Sequence, residues 1–86
     1  MYSIVYYLLI EFIHTRFMRK NLEHTVGIRV RTAREAAGVT KSRFCLMADI
    51  SRPYLDKIKS GRANISLKML AKLAACLEVD PIDLLR

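Results

Sequence analysis

The chain has 86 residues, of which 52% are hydrophobic, and its formal net charge at pH 7 is +7. This length fits one small domain, and the apolar content is sufficient for a single core, which excludes a wholly disordered chain. The excess of positive charge favours a polyanionic partner, with nucleic acid ahead of acidic lipid.

The positive charge is concentrated in the middle of the chain. Residues 27–62 contain nine Lys or Arg residues against three acidic residues, whereas residues 63–86 contain three of each kind. A basic middle followed by a neutral C-terminal part is typical of a nucleic-acid-binding domain. The nine basic residues are Arg29, Arg31, Arg34, Lys41, Arg43, Arg52, Lys57, Lys59 and Arg62.

The chain begins with the apolar run MYSIVYYLLIEFIH. Its apolar stretch is interrupted by Glu11 and is too short to span a membrane. It also lacks the preceding basic residue and the small-residue cleavage site of a secretory signal. Its apolar residues recur at helical spacing, whereas several of its first residues are of types that favour strands, so the period is ambiguous; of the two, we favour a helix. Three interpretations stay open: an additional core element, a dimer contact, or an extension without a selected role if translation starts at Met18.

A regular helical pattern follows this segment. Val26, Val30, Ala33 and Ala37 recur at the spacing of one helix face, and Gly38 is expected to end that helix. Thr40 is a typical cap for a second helix, because its hydroxyl can accept a hydrogen bond from a free backbone N–H group.

The second helix is predicted to be short and to end in a sharp turn. Its inward side chains are expected to be Phe44, Cys45, Met47 and Ala48. Asp49 can make the turn, since aspartate is among the few non-glycine residues that tolerate a left-handed backbone.

A third helix is predicted to start immediately after this turn. Ser51 is its cap, and Pro53 lies in the first turn, where a missing N–H group is tolerated. Leu55 and Ile58 are predicted to be buried, and Gly61 closes the helix.

Two further helices are predicted in the C-terminal part. Ser66 caps a fourth helix, and Asp80 caps a last short helix that starts at Pro81. The apolar positions that define these helices are Leu67, Leu70, Leu73, Ala74 and Leu77 in the fourth helix, and Leu84 and Leu85 in the last.

Neither the cysteines nor the histidines indicate catalysis. Cys45 and Cys76 match no Cys-x-x-Cys or zinc spacing, so they are predicted to be reduced, buried and inert, as in a cytoplasmic protein. No glycine-rich phosphate loop occurs, and His14 and His24 stand apart from any plausible nucleophile. The chain is therefore not expected to be an enzyme or to bind a cofactor or metal.

The order of these elements resembles the lambda-repressor-like helix-turn-helix family, also called the xenobiotic-response-element (XRE) type. The resemblance covers roughly residues 25–85 without a gap in spacing. It implies an all-α, compact five-helix domain over residues 25–86, with residues 1–24 as an apolar N-terminal extension. The matching features are Arg34, Gly38-Val39-Thr40, the small residue Cys45, a three-residue turn, Ser51, Leu55, Ile58, Gly61 and the run from Leu73 to Val79.

The resemblance also implies which residues contact DNA. In such proteins the third helix enters the major groove, while the second lies across the backbone. The implied base-reading residues are Arg52, Pro53, Tyr54 and Lys57, with Arg52 as the leading candidate for guanine, because a guanidinium can bond both O6 and N7. The implied phosphate-binding residues are Lys41, Ser42, Arg43, Ser51, Arg62 and Asn64.

The sequence departs from the family pattern at three positions. Lys41 stands where glutamine is usual, and Asp49 stands where glycine is frequent. Lys59 replaces a frequent glutamate that pairs, in the family, with the arginine corresponding to Arg34. That ion pair cannot form here, so Arg34 is predicted to use a helix-end carbonyl or Glu35 instead. Lys59 itself is interpreted as a solvated residue.

The sequence therefore predicts a sequence-specific regulator of transcription. We expect a repressor that binds a near-palindromic site on double-stranded DNA as a homodimer, in the cytoplasm of a bacterium or encoded by a phage. No membrane partner and no small-molecule ligand are expected. The alternative is a helix-turn-helix domain that binds a partner protein, such as an antitoxin. Basic residues around one protruding helix favour the DNA-binding interpretation.

Overall fold

A computed structural model describes residues 22–86 of the protein as a bundle of short helices. Four α-helices are followed by one 3₁₀ helix, and no β-strand occurs in this range. The prediction of an all-α domain is confirmed, with the last helix adopting the tighter 3₁₀ form. The bounds are residues 22–36 for the described part of α1, Lys41–Ala48 for α2, Arg52–Lys59 for α3, Leu67–Leu77 for α4 and Pro81–Leu84 for the 3₁₀ helix.

The interpretations of residues 1–17 lie outside the described residues. The division into an extension over residues 1–24 and a domain over residues 25–86 stays a prediction. In the structure, α1 includes residues on both sides of that boundary.

One apolar core joins the helices. α4 packs against both α2 and the 3₁₀ helix, and α2 packs against α3. Because each helix contributes to the same core, the position of α3 is determined by the packing of the whole domain. The buried apolar residues are Val26, Val30, Phe44, Cys45, Ala48, Leu55, Ile58, Ala63, Leu70, Leu73, Ala74, Leu77 and Leu84.

Side-chain caps start four of the helices as predicted. Thr40, Ser51 and Ser66 each accept a hydrogen bond from the N–H group three residues later, and Asp80 accepts one from the N–H two residues later. The donor–acceptor distances are 3.0–3.2 Å. A cap of this kind contributes about 1 kcal/mol, which matters for helices as short as α2 and α3.

The turn between α2 and α3 is made by a left-handed aspartate. Asp49 has φ 53° and ψ 51°. The next N–H group, that of Ile50, donates back to the carbonyl of Cys45 at 3.0 Å. Ser51 then begins α3 at once, so the prediction of a sharp turn at Asp49 is confirmed.

Gly27 marks the place where α1 crosses the end of α3. A Cβ atom built at Gly27 would overlap the carbonyl oxygen of Ile58 and lie 3.0 Å from the carbonyl oxygen of Lys59. Backbone atoms of a packed helix cannot move aside as a flexible side chain can. Only glycine therefore allows α1 to lie this close to α3.

Three side chains differ from their predicted environment. Met47 is 45% exposed, because it lies about 110° around α2 from the centre of the buried face. Leu67 is 83% exposed: it is the first residue of α4, and the buried residues start one turn later at Leu70. Ala37 is exposed because α1 has already ended and the chain turns at Gly38.

The two thiols also differ from each other. Both are free, and Cys45 is buried as predicted. Cys76 is only half-buried, so the prediction of its burial is wrong. Its side chain packs at the edge of the core, on the flank of the buried face of α4.

We expect Gly27→Ala to destabilise the protein by about 1–3 kcal/mol, as an overpacked contact does. Replacing glycine by alanine within a helix ordinarily stabilises the helix by about 1 kcal/mol. A loss of stability in Gly27→Ala would therefore report the close contact with α3. Urea unfolding followed by circular dichroism measures the change. In the control Gly38→Ala, the added Cβ has no heavy atom within 4 Å. Gly38→Ala should lower the stability by about 1 kcal/mol, because the backbone at residue 38 is left-handed. A Gly27→Ala variant as stable as the wild type would contradict the close contact between α1 and α3.

Candidate nucleic-acid interface

The outward face of α3 carries the residues predicted to read bases. Arg52, Pro53 and Lys57 are exposed, whereas Leu55 and Ile58 on the opposite face are fully buried. Tyr54 is half-buried and packs against the core. The structure thus places the four predicted residues in the first two turns of one exposed helix, with Tyr54 the least accessible of them.

Arg52 is held in place by the neighbouring helix. Its Nη1 donates to Oγ of Ser42 at 3.1 Å, which links the first residue of α3 to the first turn of α2. This bond brings a predicted base-reading residue and a predicted phosphate-binding residue into contact. The sequence analysis did not foresee it, since the two residues lie on different helices and ten positions apart.

The start of α2 presents a second group of polar residues. Ser42 and Arg43 are exposed and Lys41 is half-buried. The Thr40 hydroxyl is occupied by the N–H of Arg43, at 3.2 Å. The first N–H groups of any helix have no partner within that helix, so at this end of α2 the N–H groups of Lys41 and Ser42, which precede Arg43, are available to an anion.

The loop after α3 is ordered by its own hydrogen bonds. The backbone N–H of Arg62 donates to the carbonyl of Lys57 at 2.9 Å. The Nε of Arg62 donates to Oγ of Ser60, also at 2.9 Å. Arg62 and Asn64 are exposed on either side of buried Ala63. The Ser51 hydroxyl caps α3, as described, and its oxygen accepts from the N–H of Tyr54.

Arg34 is the one charged residue that is buried in the described part of the chain. Its Nη1 donates to the carbonyl of Val39 at 2.7 Å, just beyond the end of α1. Its Nη2 lies 3.7 Å from Oε1 of Glu35. Of the two alternatives predicted for Arg34, Glu35 is confirmed as a partner. The carbonyl that Arg34 uses belongs to Val39, in the turn between α1 and α2, and not to the end of a helix. Its Nε has no hydrogen-bond partner among the described residues.

Glu35 is shared between two arginines. Arg31 Nε donates to Oε1 of Glu35 at 3.0 Å, and Arg34 approaches the same oxygen. The hydrogen bond and charge of Arg31 lower the pKa of Glu35 below its ordinary value of 4.5, and Arg34 acts in the same direction. Both guanidinium groups therefore favour the ionised form of this carboxylate.

Lys59 is the last residue of α3, and Lys41 is the first residue of α2. The ammonium group of Lys41 lowers the pKa of Lys59. Partial burial and the charge of Arg31 add to this effect, and Asp56 opposes it. The interpretation of Lys59 as an ordinary solvated residue missed this neighbourhood. The replacement of a family glutamate by lysine was the signal that could have revealed it.

Two other kinds of site were sought in the described residues. No group of His, Cys, Asp or Glu side chains within residues 22–86 is arranged to hold a metal ion. None of the helices in this range is long and apolar enough to cross a membrane.

Comparison with known proteins identifies the fold family. Residues 30–84 match the family model described as Helix-turn-helix, HTH_3. The chain belongs to the helix-turn-helix family. It is of the XRE or lambda-repressor-like type, whose members are DNA-binding transcription regulators.

Individual helix-turn-helix proteins resemble this chain over most of its length. It is 30% identical over 69 residues to control protein C.BamHI of Bacillus amyloliquefaciens, covering 79% of this chain and 85% of that protein. The restriction-modification controller protein C.AhdI of Aeromonas hydrophila has 29% identity and a TM-score of 0.67, over 72% of this chain and 94% of that one. The clp gene regulator ClgR of Corynebacterium glutamicum has 28% identity and a TM-score of 0.70, over 74% and 83%.

We expect the Glu35→Gln variant of this helix-turn-helix protein to lose stability in a pH-dependent way. Because the folded protein lowers the pKa of Glu35, the stabilisation is complete above the ordinary value of 4.5 and is lost as the pH falls through the lower folded value. The melting temperatures of wild type and variant should therefore differ near neutral pH and converge in acid. Thermal unfolding between neutral and acid pH measures the difference in melting temperature. A difference that does not change with pH would show that Arg31 and Arg34 do not hold this carboxylate.

Proposed function

We propose that the protein is a sequence-specific repressor of transcription that binds double-stranded DNA as a homodimer. In this proposal α3 enters the major groove and α2 lies across the phosphate backbone. The observation that carries the proposal is the exposed face of α3, with Arg52 held by Ser42 at the edge next to α2. A guanidinium positioned in advance loses less conformational freedom when it bonds a base.

Each predicted contact has a defined part in this proposal. Arg52 bonds the O6 and N7 atoms of a guanine, and Lys57, one turn further along α3, reaches a second base. Pro53 and Tyr54 contribute apolar contact, with a thymine methyl as the target for Tyr54. The residues that position the protein on phosphates are Lys41, Ser42, Arg43, Ser51, Arg62 and Asn64.

Two copies on a near-palindromic site follow from the size of the reading surface. One short α-helix contacts only a few base pairs. Two such α-helices, about one turn of the DNA apart, contact enough base pairs for selective binding. Leu46, Leu67 and Ile82 are exposed large apolar residues that a second copy could cover.

The regulatory role is supported by the relatives. Proteins named as controllers and as a gene regulator share the fold and 28–30% of aligned residues with this chain. The cytoplasm is the compartment in which such a repressor meets its DNA.

The proposal is tested by selection of binding sites from a random duplex library at moderate salt. Salt suppresses binding that depends on charge alone, so enrichment reports base reading. A two-fold symmetric motif is the expected result. Recovery of no motif would favour the alternative, a helix-turn-helix domain that binds a partner protein.

We expect Arg52→Ala to weaken binding to the selected site by about 1–3 kcal/mol and to relax the preference at one base pair. The matched control is Arg43→Ala, which removes the same side chain from the exposed face of α2. It should weaken binding to all sequences alike, because a phosphate contact carries no base information. Fluorescence anisotropy with single-base variants of the site measures both effects. If Arg52→Ala changed neither affinity nor preference, the assignment of α3 as the reading helix would be wrong.

A further inference from the structure

One acidic residue lies on the face of α3 that carries the residues predicted to read bases. Asp56 is exposed, in the second turn of the helix. The buried face of α3 is formed by Leu55 and Ile58. Asp56 and Lys57 each lie about 130° around the helix from the centre of that face, on opposite sides of it. With Pro53 between them, they form the part of α3 that is furthest from the core.

The carboxylate of Asp56 is not used within the domain. It makes no hydrogen bond or ion pair with another side chain of residues 22–86. Lys59, three residues later, is attracted to it: the pKa of Lys59 is lowered, chiefly by Lys41, and Asp56 opposes that shift. The two side chains nevertheless stay outside ion-pair distance. Both oxygens of Asp56 are therefore available to a donor from outside the domain.

Arg52 is the neighbour that would be expected to neutralise Asp56. The two residues are four positions apart, and at that spacing an arginine and a carboxylate on one helix can form an ion pair. Instead, Nη1 of Arg52 donates to Oγ of Ser42 on α2 at 3.1 Å, and no ion pair joins Arg52 to Asp56. A donor group and an acceptor group thus lie near each other on one exposed helix without being paired.

A carboxylate on the surface that meets DNA restricts what the surface can bind. The phosphates repel it, so it lowers the affinity unless it accepts a hydrogen bond from a base. In the major groove such donors are the amino groups at N4 of cytosine and N6 of adenine. On adenine the acceptor N7 lies beside N6 and repels a carboxylate, whereas cytosine has no acceptor on this edge. Cytosine is therefore the base that suits Asp56.

We propose that Asp56 reads a cytosine, by accepting a hydrogen bond from its N4 amino group in the major groove. This inference rests on the proposed DNA-binding function and deepens it, because it adds a specificity-determining residue that the sequence analysis did not predict. Four residues of an α-helix span about 6 Å, and base pairs are about 3.4 Å apart. The cytosine therefore belongs to a base pair about one or two steps from the guanine that Arg52 bonds.

The experiment selects binding sites from a random duplex library at moderate salt with the wild type, Asp56→Asn and Glu78→Gln. Each variant removes one negative charge and keeps the shape of the side chain. Glu78 is exposed and follows the last residue of α4, so Glu78→Gln controls for the general effect of the charge. Melting temperatures of the three proteins verify that each one is folded.

The expected result is a change of base preference at one position. The wild type and Glu78→Gln should both select a cytosine at the predicted distance from the guanine. Asp56→Asn should select adenine there instead, because an asparagine amide bonds both N6 and N7 of adenine. Fluorescence anisotropy with single-base variants of the site should show that Asp56→Asn loses a discrimination of about tenfold in favour of cytosine.

A second variant separates the lost acceptor from the new amide. Asp56→Ala retains neither an acceptor nor a donor at this position of the side chain. It should lose the preference for cytosine without gaining one for adenine. Asp56→Ala with an unchanged preference for cytosine would contradict the inference.

Other outcomes would overturn the assignment in distinguishable ways. If Asp56→Asn kept every base preference and only bound all duplexes more tightly, as Glu78→Gln does, Asp56 would be a solvated charge. If Asp56→Asn relaxed the preference at the guanine alone, Asp56 would act by orienting Arg52 and would not read cytosine. A wild-type motif without the cytosine would overturn the inference but not the proposed function. A wild type that selects no motif would overturn both.

Discussion

The close contact between Gly27 and the last carbonyl groups of α3 determines how the three N-terminal helices meet. Without a side chain at residue 27, α1 lies directly on the end of α3, and the residues one and two turns later face the same junction. Arg31 and Arg34 are those residues. The buried side chain of Arg34 and the carboxylate of Glu35, which is shared by two arginines, both lie on this part of α1.

Features that depend on a few neighbouring residues could be predicted from the sequence. The caps at Thr40, Ser51 and Ser66 and the turn at Asp49 each need only a local side chain and its nearest N–H groups. Glu35 was also predictable as a partner of Arg34, because the two residues are neighbours in the sequence. The contacts of Gly27 and the neighbourhood of Lys59 were not, since they join residues far apart in the chain. A glycine within a helix is itself a weak signal of close packing.

Burial at the ends and flanks of helices was the least predictable property. Periodicity assigns a residue to a face but does not tell how far the core extends along the helix or around it. Met47 and Leu67 satisfy the spacing and are nevertheless exposed. Among the residues predicted to contact DNA, the sequence could indicate Arg52 but not its bond to Ser42, which requires the angle between α2 and α3.

The shortness of α3 has a consequence for how much active protein a cell contains. A helix of eight residues does not persist alone in water, so α3 exists only while the core around Leu55 and Ile58 is intact. No partly folded form of the chain would keep the exposed face of α3 in place. The supply of active regulator then follows the folded fraction, and a change in a remote core residue or a rise in temperature acts on gene control in the same way as a change in gene dosage.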